Sequence, residues 1–366
     1  MPSRPPHPAP SPLPIPRRVL LVRLSAIGDV LFASPLIAAA RQAWPAAHLA
    51  WLAEPGGASL LQAHPDLDEL IEWPSQRLRT LWHERRLAAL LAELRQQRRA
   101  LRARGFDLAL DLQGLFKSAL PVWLSGAPVR IGLGSREGSG RLMTRVIPRT
   151  AAAAEARIGS EYLHLAQALG LAPGAFPLTL HLAAEAQQQA SALRRAHGID
   201  RAYAVLCPFT TRPQKHWFAE RWAELAQHLQ RIHGLAVLVL GGPGDRAAGA
   251  ALSARAAGAL IDLSGQTRLP EAAALIAGAR LVIAVDTGLG HMGIALARPT
   301  LLLFGATCPY TDTTRANARV LYHPLPCSPC RRRPTCGGAY TCMREHSVAA
   351  VLAAATALLA APAADP

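Results

Sequence analysis

The sequence lacks any long apolar run that is free of charge. Its longest Ala- and Leu-rich stretch, residues 348–361, is shorter than the roughly 20 residues of a typical membrane span. The first 16 residues also lack the apolar segment of a secretory signal, and they contain eight prolines. These absences predict a cytoplasmic protein whose residues 1–17 form a disordered, proline-rich tail.

Two common nucleotide-binding motifs are missing as well. Residues 241–245 read Gly-Gly-Pro-Gly-Asp, which does not complete the Gly-x-Gly-x-x-Gly pattern of dinucleotide sites. The P-loop pattern, which ends in Gly-Lys-Ser or Gly-Lys-Thr, does not occur either. We therefore expect no dinucleotide and no other cofactor.

Charge is scarce but unbalanced: 17% of residues are charged, yet the formal net charge is +15. Such a balance points to an anionic partner, which could be nucleic acid, a membrane surface or a phosphorylated substrate. Residues 77–104 contain nine arginines against Glu84 and Glu93. A leucine stripe there predicts one amphipathic helix with a cationic face, either solvated or touching anionic lipid or sugar phosphates; its members are Leu87, Leu91, Leu94 and Leu101.

Short apolar runs alternate with helical patterns along both halves of the chain, which predicts an α/β fold. The predicted strands are residues 19–24, 49–53, 70–73 and 106–112, then 203–207, 236–240, 260–263, 280–285 and 300–304. We expect two doubly wound, Rossmann-like domains, residues 18–182 and 183–345, followed by a helix and tail at 346–366. In such sheets ligands bind beyond the carboxyl ends of the strands, so the active site should lie in the cleft between the domains.

Three loops carry residues suited to chemistry at those strand ends. Gly28-Asp29 opens the first helix, where the helix dipole keeps a carboxylate ionised, although a capping Asp is common there. Residues 286–291, Asp-Thr-Gly-Leu-Gly-His, open a helix whose free N–H groups suit a diphosphate; His291 could equally be a cap or a core residue. The loop 210–217 adds hydroxyls and Lys215, a point charge for a phosphate.

Two patterns that resemble metal sites are weaker. Asp66 and Asp68 have the Asp-x-Asp spacing of some metal-dependent sugar transferases, but His64-Pro65-Asp66 favours a turn. Four cysteines cluster late in the chain and could ligate zinc or an iron–sulfur cluster, or be free thiols; they are Cys327, Cys330, Cys336 and Cys342. Cys207 and Cys308 lie in apolar runs and are predicted core residues.

Taken together, four motifs resemble those of glycosyltransferase family 9, the ADP-heptose:lipopolysaccharide heptosyltransferases. The resemblance extends from about residue 18 to 359 and is closest to the heptosyltransferase I branch. One departure is Gly290, where that branch usually has Ser, and another is the cysteine cluster. The motifs are Arg23-Leu24-Ser25-Ala26-Ile27-Gly28-Asp29-Val30, Asp111-Leu112-Gln113-Gly114-Leu115-Phe116-Lys117-Ser118, Lys215-His216-Trp217 and Val285-Asp286-Thr287-Gly288-Leu289-Gly290-His291.

The resemblance implies a GT-B fold, two Rossmann-like domains facing across a cleft, and an inverting transfer from ADP-heptose to Kdo-lipid A at the inner membrane. Asp29 matches the family's general base, and no metal is required in this design. The matching donor-binding positions are Thr210, Thr211, Lys215, Asp286, Thr287, Gly288 and His291. Charge and position suggest acceptor contacts at Arg77, Arg79, Arg85, Arg86 and Lys117.

Alternatives stay open at this point. The chain could act like heptosyltransferases II or III, with another acceptor or nucleotide-sugar. A basic nucleic-acid-binding protein is the alternative from a different class, but the arginine segment shows no known nucleic-acid motif, so we expect no nucleic-acid partner. A non-catalytic sugar-binding relative is disfavoured by the presence of both Asp29 and Lys215.

Overall fold

The apolar strands of the first half form one parallel sheet in the computed structural model, which describes residues 15–149, 157–171, 174–330 and 333–361. Its strand order is β3-β2-β1-β4-β5-β6, the order of a Rossmann sheet. In register, Leu20 lies between Ala50 and Ala109 on the neighbouring strands. The strands are β1 (Arg18–Val22), β2 (His48–Ala53), β3 (Glu69–Glu72), β4 (Leu108–Asp111), β5 (Val129–Leu133) and β6 (Arg145–Ile147).

The second half repeats this arrangement in a separate parallel sheet. Its order, β9-β8-β7-β10-β11-β12, is again that of a Rossmann sheet. The two sheets confirm the predicted fold class. The strands are β7 (Tyr203–Cys207), β8 (Ala236–Val239), β9 (Ile261–Asp262), β10 (Leu281–Val285), β11 (Thr300–Phe304) and β12 (Ala318–Tyr322).

Helices cover both faces of each sheet, because the central strands are apolar on both sides. The first unit contains α1 (Ile27–Ala33), α2 (Pro35–Ala43), α3 (Pro55–Leu61), α4 (Ser75–His83), α5 (Leu87–Arg102), α6 (Phe116–Leu124) and α7 (Ser160–Ala168). The second contains α8 (Ala184–Ala196), α9 (Ala219–His233), α10 (Arg246–Arg255), α11 (Leu269–Ala277), α12 (Gly288–Ala295), α13 (Thr341–Arg344) and α14 (Val348–Ala360).

The two units share an apolar interface. One core cluster of the second sheet continues through Leu31 of α1 and Leu60 of α3, both buried. Helix α1 packs against α12, and α3 packs against α11. The carboxyl ends of both sheets therefore meet at one cleft. Helix α14 packs on α9, β10 and β11 of the second unit.

The structure corrects the sequence prediction in the helices. Residues 77–104 form two helices, because Arg85 has a positive φ of 55° in the turn between α4 and α5. Of the predicted leucine stripe, Leu101 is buried, whereas Leu87 and Leu91 are exposed. The first predicted helix is likewise split into α1 and α2 at Pro35, which begins α2.

Three strands escaped the sequence prediction. Strand β12 lies at a sheet edge and is mostly half-buried, so it lacks a continuous apolar run. Strands β5 and β6 end the first sheet, and each contains an arginine. None of the helices in the described ranges combines the length and the hydropathy that a membrane-spanning segment requires. The predicted tail lies almost wholly outside the described residues.

Candidate active site

A cavity of ≈ 770 Å³ opens in the cleft, and both units line it. The first unit contributes Asp29 and Phe32 from α1, and the second contributes Asp286 from the end of β10. Further lining residues include Arg157, Glu161, Tyr162, Arg212, Thr307, Cys308, Tyr310, Cys330 and Arg333. The position beyond the carboxyl ends of the strands is the one expected for a ligand in such sheets.

Asp29 lies in the first turn of α1, where its carboxylate accepts a hydrogen bond from the Ala26 backbone N–H at 3.3 Å. The same carboxylate forms an ion pair with the buried guanidinium of Arg23. Arg23 is itself fixed because it donates to the Leu112 carbonyl at 3.3 Å. The Asp29 side chain is 42% exposed, so an oriented carboxylate faces the cavity with room for a partner.

Asp286 is held far more tightly. Its carboxylate lies 2.6 Å from Lys215 Nζ and 3.3 Å from His291 Nε2, and it accepts a hydrogen bond from the Thr307 hydroxyl. Burial alone would raise the pKa of Asp286, but the hydrogen bonds and positive charges of His291 and Lys215 hold that pKa well below its usual value. This buried carboxylate therefore stays ionised and fixes the groups around it.

An aromatic cluster backs His291. Its Nδ1 lies 2.7 Å from the hydroxyl of Tyr310, and its ring packs on Phe32 with 4.7 Å between centroids. Burial and the negative charge of Asp286 raise the pKa of Tyr310 well above its usual value, so the phenol keeps its proton. His291 is thus oriented from both ring nitrogens.

Two glycines let α1 and α12 meet across the cleft. A Cβ on Gly28 would lie 2.8 Å from His291 Cδ2, and a Cβ on Gly288 would lie 2.9 Å from Ile27 Cγ2. Only hydrogen fits at either position without movement of a neighbour. The helix start that the sequence suggested for a diphosphate is therefore packed against α1.

The other predicted donor residues lie around Asp286. Thr210 donates to the Asp286 carbonyl at 3.4 Å, and Thr287 occupies the N-cap position of α12 without a capping hydrogen bond from its side chain. Thr211 is exposed, and the neighbouring Arg212 lines the cavity instead. The sequence did not identify Thr307, Tyr310 or Arg333, since they lie in loops after β11 without a motif.

A second cavity of ≈ 900 Å³ lies on the first unit beside α4 and α5. Arg77, Arg79 and Arg86 line it, as does Glu54. Lys117 lies 3.8 Å from Glu54 and donates to Ser25 at 2.8 Å, in the loop that leads into α1. Of the five predicted acceptor residues, Arg85 stands apart, exposed in the turn between α4 and α5.

The metal-like patterns have structural explanations. Asp68 pairs with Arg41 at 2.6 Å and accepts from the Leu49 backbone N–H, so it fixes a turn. Within the described ranges, no three of the His, Cys, Asp and Glu side chains are grouped to hold one metal ion. None of the four clustered cysteines forms a disulfide. Cys207 is buried as predicted, but Cys308 is not a core residue: it is half-buried on the cavity wall because it follows β11 into the cleft.

Two Rossmann-like units that present facing carboxylates to one cleft have the layout of glycosyltransferases with the GT-B fold. A family model described as glycosyltransferase family 9 (heptosyltransferase) matches residues 94–340. The chain therefore belongs to this family and is a glycosyltransferase, as the sequence motifs predicted.

Individual relatives agree. Lipopolysaccharide heptosyltransferase 1 of Escherichia coli O18:K1:H7 is 32% identical over 80% of this chain and 87% of its own length. Lipopolysaccharide heptosyltransferase 2 of E. coli K12 is 28% identical over 83% of this chain and 87% of its own length. Among solved structures, E. coli heptosyltransferase WaaC with ADP-2-deoxy-2-fluoro heptose has a TM-score of 0.66 at 29% identity, covering 91% of this chain and 97% of that one.

Proposed function

We propose that the protein transfers heptose from ADP-L-glycero-D-manno-heptose to the Kdo of the lipopolysaccharide inner core, as a heptosyltransferase I. The observation that carries the proposal is the pair of carboxylates in the cleft. Asp29 is half-exposed and free to take a proton, whereas Asp286 is buried and organises a cationic wall. An inverting glycosyl transfer needs both functions on opposite sides of the sugar.

In the proposed reaction Asp29 is the general base. As the acceptor hydroxyl oxygen bonds to the anomeric carbon, its proton passes to the Asp29 carboxylate. The bond between the anomeric carbon and the diphosphate oxygen breaks, and ADP leaves with that electron pair. Arg23 orients Asp29, because its buried guanidinium pairs with the carboxylate on one side.

The leaving diphosphate is stabilised from the second unit. Lys215 supplies a positive charge, and Thr210, Thr211, Thr287 and Gly288 surround it with hydroxyl and N–H donors. Lys215 can move to the diphosphate because Asp286 keeps two other partners, Thr307 and His291. A modest opening between α1 and α12 would expose the α12 start to the same group, since Gly28 and Gly288 now hold the helices in contact.

The acceptor is proposed to occupy the arginine-lined cavity. Arg77, Arg79 and Arg86, which line this cavity, and the nearby Lys117 would bind the carboxylates and phosphates of Kdo-lipid A; Arg85 would contact the acceptor only from the neighbouring turn. The acceptor is a lipid, so the enzyme would work from the cytoplasm at the inner-membrane surface. Charge reversal at Arg79 and Arg86 should raise the acceptor KM and leave donor affinity unchanged.

An acceptor panel tests the assignment. Wild-type protein is incubated with ADP-heptose and either Kdo-lipid A or an acceptor that already carries one heptose, and ADP release is followed. Turnover on Kdo-lipid A alone supports heptosyltransferase I. Turnover only on the heptosylated acceptor would move the protein to the second or third transfer, and absence of donor binding would overturn the donor assignment.

A further inference from the structure

The outer face of α4, α5 and α6 is unusually apolar for a water-facing surface. Eight large apolar side chains are markedly exposed in the described part of the chain, and five of them lie on these three consecutive helices. Each is between 46% and 64% exposed. We name this set the apolar face; its members are Trp82, Leu87, Leu91, Phe116 and Trp123.

Helical spacing places these side chains on outward surfaces. Leu87 and Leu91 are four residues apart on α5, and Phe116 and Trp123 are seven apart on α6, so each pair shares one side of its helix. Helix α5 packs between α4 and α6. The inward residues of α5 and α6, such as Leu101, Ala119 and Val122, are buried against the sheet. The side chains of the apolar face are therefore not needed to cover the sheet.

The surroundings of the apolar face are strongly basic. Arg95, Arg98 and Arg99 are exposed along α5. The two acidic residues between positions 75 and 104 are already paired: buried Glu93 binds Arg77 at 2.6 Å, and Glu84 lies 3.4 Å from Arg86. Glu137, which accepts a hydrogen bond from the Phe116 backbone N–H at 3.3 Å, is the acidic group at the α6 end of the face. Apolar and aromatic side chains ringed by arginine match the boundary of a bilayer that carries anionic headgroups.

The apolar face also adjoins the arginine-lined cavity. Arg86 and Ala89 line that cavity from the start of α5, while Leu87 and Leu91 project to solvent from the same turns. A bilayer that covered the leucines would lie at the cavity mouth. A lipid-linked acceptor could then enter without leaving the membrane.

We propose that the apolar face docks the enzyme on an anionic phospholipid bilayer, with Trp82, Leu87 and Leu91 entering the headgroup boundary and the α5 arginines binding lipid phosphates. This inference rests on the proposed lipid-linked acceptor. It assigns the membrane contact to α4–α6. Vesicle binding and sugar transfer then depend on different residues and can be measured separately.

Vesicle co-sedimentation of the full chain tests the proposal. The probes are vesicles of phosphatidylcholine alone and of phosphatidylcholine with about one-third phosphatidylglycerol. Wild type should bind the anionic vesicles at least tenfold more strongly. The triple variant Trp82→Ser, Leu87→Ser, Leu91→Ser should lose at least tenfold of that binding, and the pair Arg98→Glu, Arg99→Glu should lose it as well.

Matched controls lie on the second unit. Ile232 on α9 is as exposed as Leu91, at 54% against 51%, so Ile232→Ser should bind like wild type while Leu91→Ser binds about threefold more weakly. The pair Arg195→Glu, Arg255→Glu reverses two exposed charges, as the pair Arg98→Glu, Arg99→Glu does, and should bind vesicles like wild type. Unfolding midpoints should be unchanged in every variant, because exposed positions are replaced.

Transfer to a deacylated, water-soluble acceptor separates the two proposals. The triple variant should match wild type there and lose turnover only on vesicle-embedded acceptor. If wild type fails on the soluble acceptor yet binds vesicles, the proposed function fails and docking stands. Equal vesicle binding by wild type and the triple variant, or a dimer in solution that the triple variant dissociates, would overturn the docking proposal.

Discussion

Asp29 in the first unit and Asp286 in the second both lie at the carboxyl end of a central strand, and both face the same cavity. Asp29 has one cationic partner and a 42% exposed side chain. Asp286 is 11% exposed and is held by Lys215, His291 and Thr307. Two sheets of the same strand order thus place one carboxylate in solvent and enclose the other.

The difference follows from what surrounds each strand end. The loop after β1 leads into α1 beside open cleft, so water reaches Asp29. The end of β10 is covered by the loops after β7 and β11, which bring in Lys215 and Thr307. An exposed carboxylate can accept a proton, whereas a buried one with three partners is a structural anion. In the proposed reaction the first unit would supply the base and the second would bind the donor.

Removal of the exposed carboxylate should have the largest effect. Asp29→Ala is expected to lower transfer by a hundredfold or more, the usual size of a general-base contribution, with donor affinity kept. The measure is kcat for ADP release. Asp68→Ala is a matched control, because Asp68 is 41% exposed and also pairs with an arginine, yet lies outside the cleft. Equal losses in both variants would show that the effect is structural.

The two lysines of the sequence test the buried side of the comparison. Lys215→Met removes the closest cation of buried Asp286 but leaves Thr307 and His291 in place, so it should cost about 2–3 kcal/mol of unfolding free energy and weaken donor binding. Lys117 is 48% exposed and 3.8 Å from Glu54, so Lys117→Met should cost less than about 1 kcal/mol. Denaturant unfolding measures both. Similar costs would contradict the distinction between the two strand ends.

Each unit also contains a buried histidine, and these should respond alike to acid. Burial, then nearby charge, lowers the pKa of His64 and of His346 to about 4. As the pH drops below about 6.5, the unfolded chain binds a proton at each histidine and the folded chain does not. The free energy of unfolding therefore has its full value above that pH and falls as the pH drops from about 6.5 to 4. The loss at His346 should approach about 3 kcal/mol at pH 4.

Unfolding midpoints recorded from pH 7.5 to 4 measure this loss. His64→Gln and His346→Gln should each flatten the acid side of the profile. If a variant shows the same fall of the unfolding midpoint with pH as wild type, the histidine that it lacks is not the cause of that fall.

The smallest expected effect concerns the helix contact across the cleft. Gly28→Ala should cost about 1–3 kcal/mol, because its methyl group would lie 2.8 Å from His291. Gly56→Ala is the control, since a Cβ there meets Leu269 at an ordinary 3.5 Å across the same interface. Thermal unfolding measures both, and equal midpoints for the two variants would show that α1 and α12 separate freely.

Periodicity and motif order were enough to predict the fold class, most central strands and the family. Strands β7 and β11 were predicted to the residue, because each is an apolar run that ends at a proline or glycine: Pro208 follows β7, and Gly305 follows β11. Strands β6 and β12 were missed because they lie at sheet edges, where half-exposed strands need no apolar run. Strand β5 was missed because Arg130 and Gly132 interrupt its apolar run. The break at Arg85 was missed because a positive φ at a non-glycine residue leaves no local signal.

Periodicity and motifs were sufficient to predict two Rossmann-like sheets and to place Asp29, Lys215, Asp286 and His291 as polar residues at strand ends. Their exposure and their partners follow from tertiary packing. Whether a carboxylate is solvated or enclosed depends on loops that lie far away in the chain, such as the one that brings Thr307 to Asp286. The exposure of Leu87 and Leu91 was decided in the same way, because a helix pattern cannot tell a face that meets the sheet from one that meets solvent.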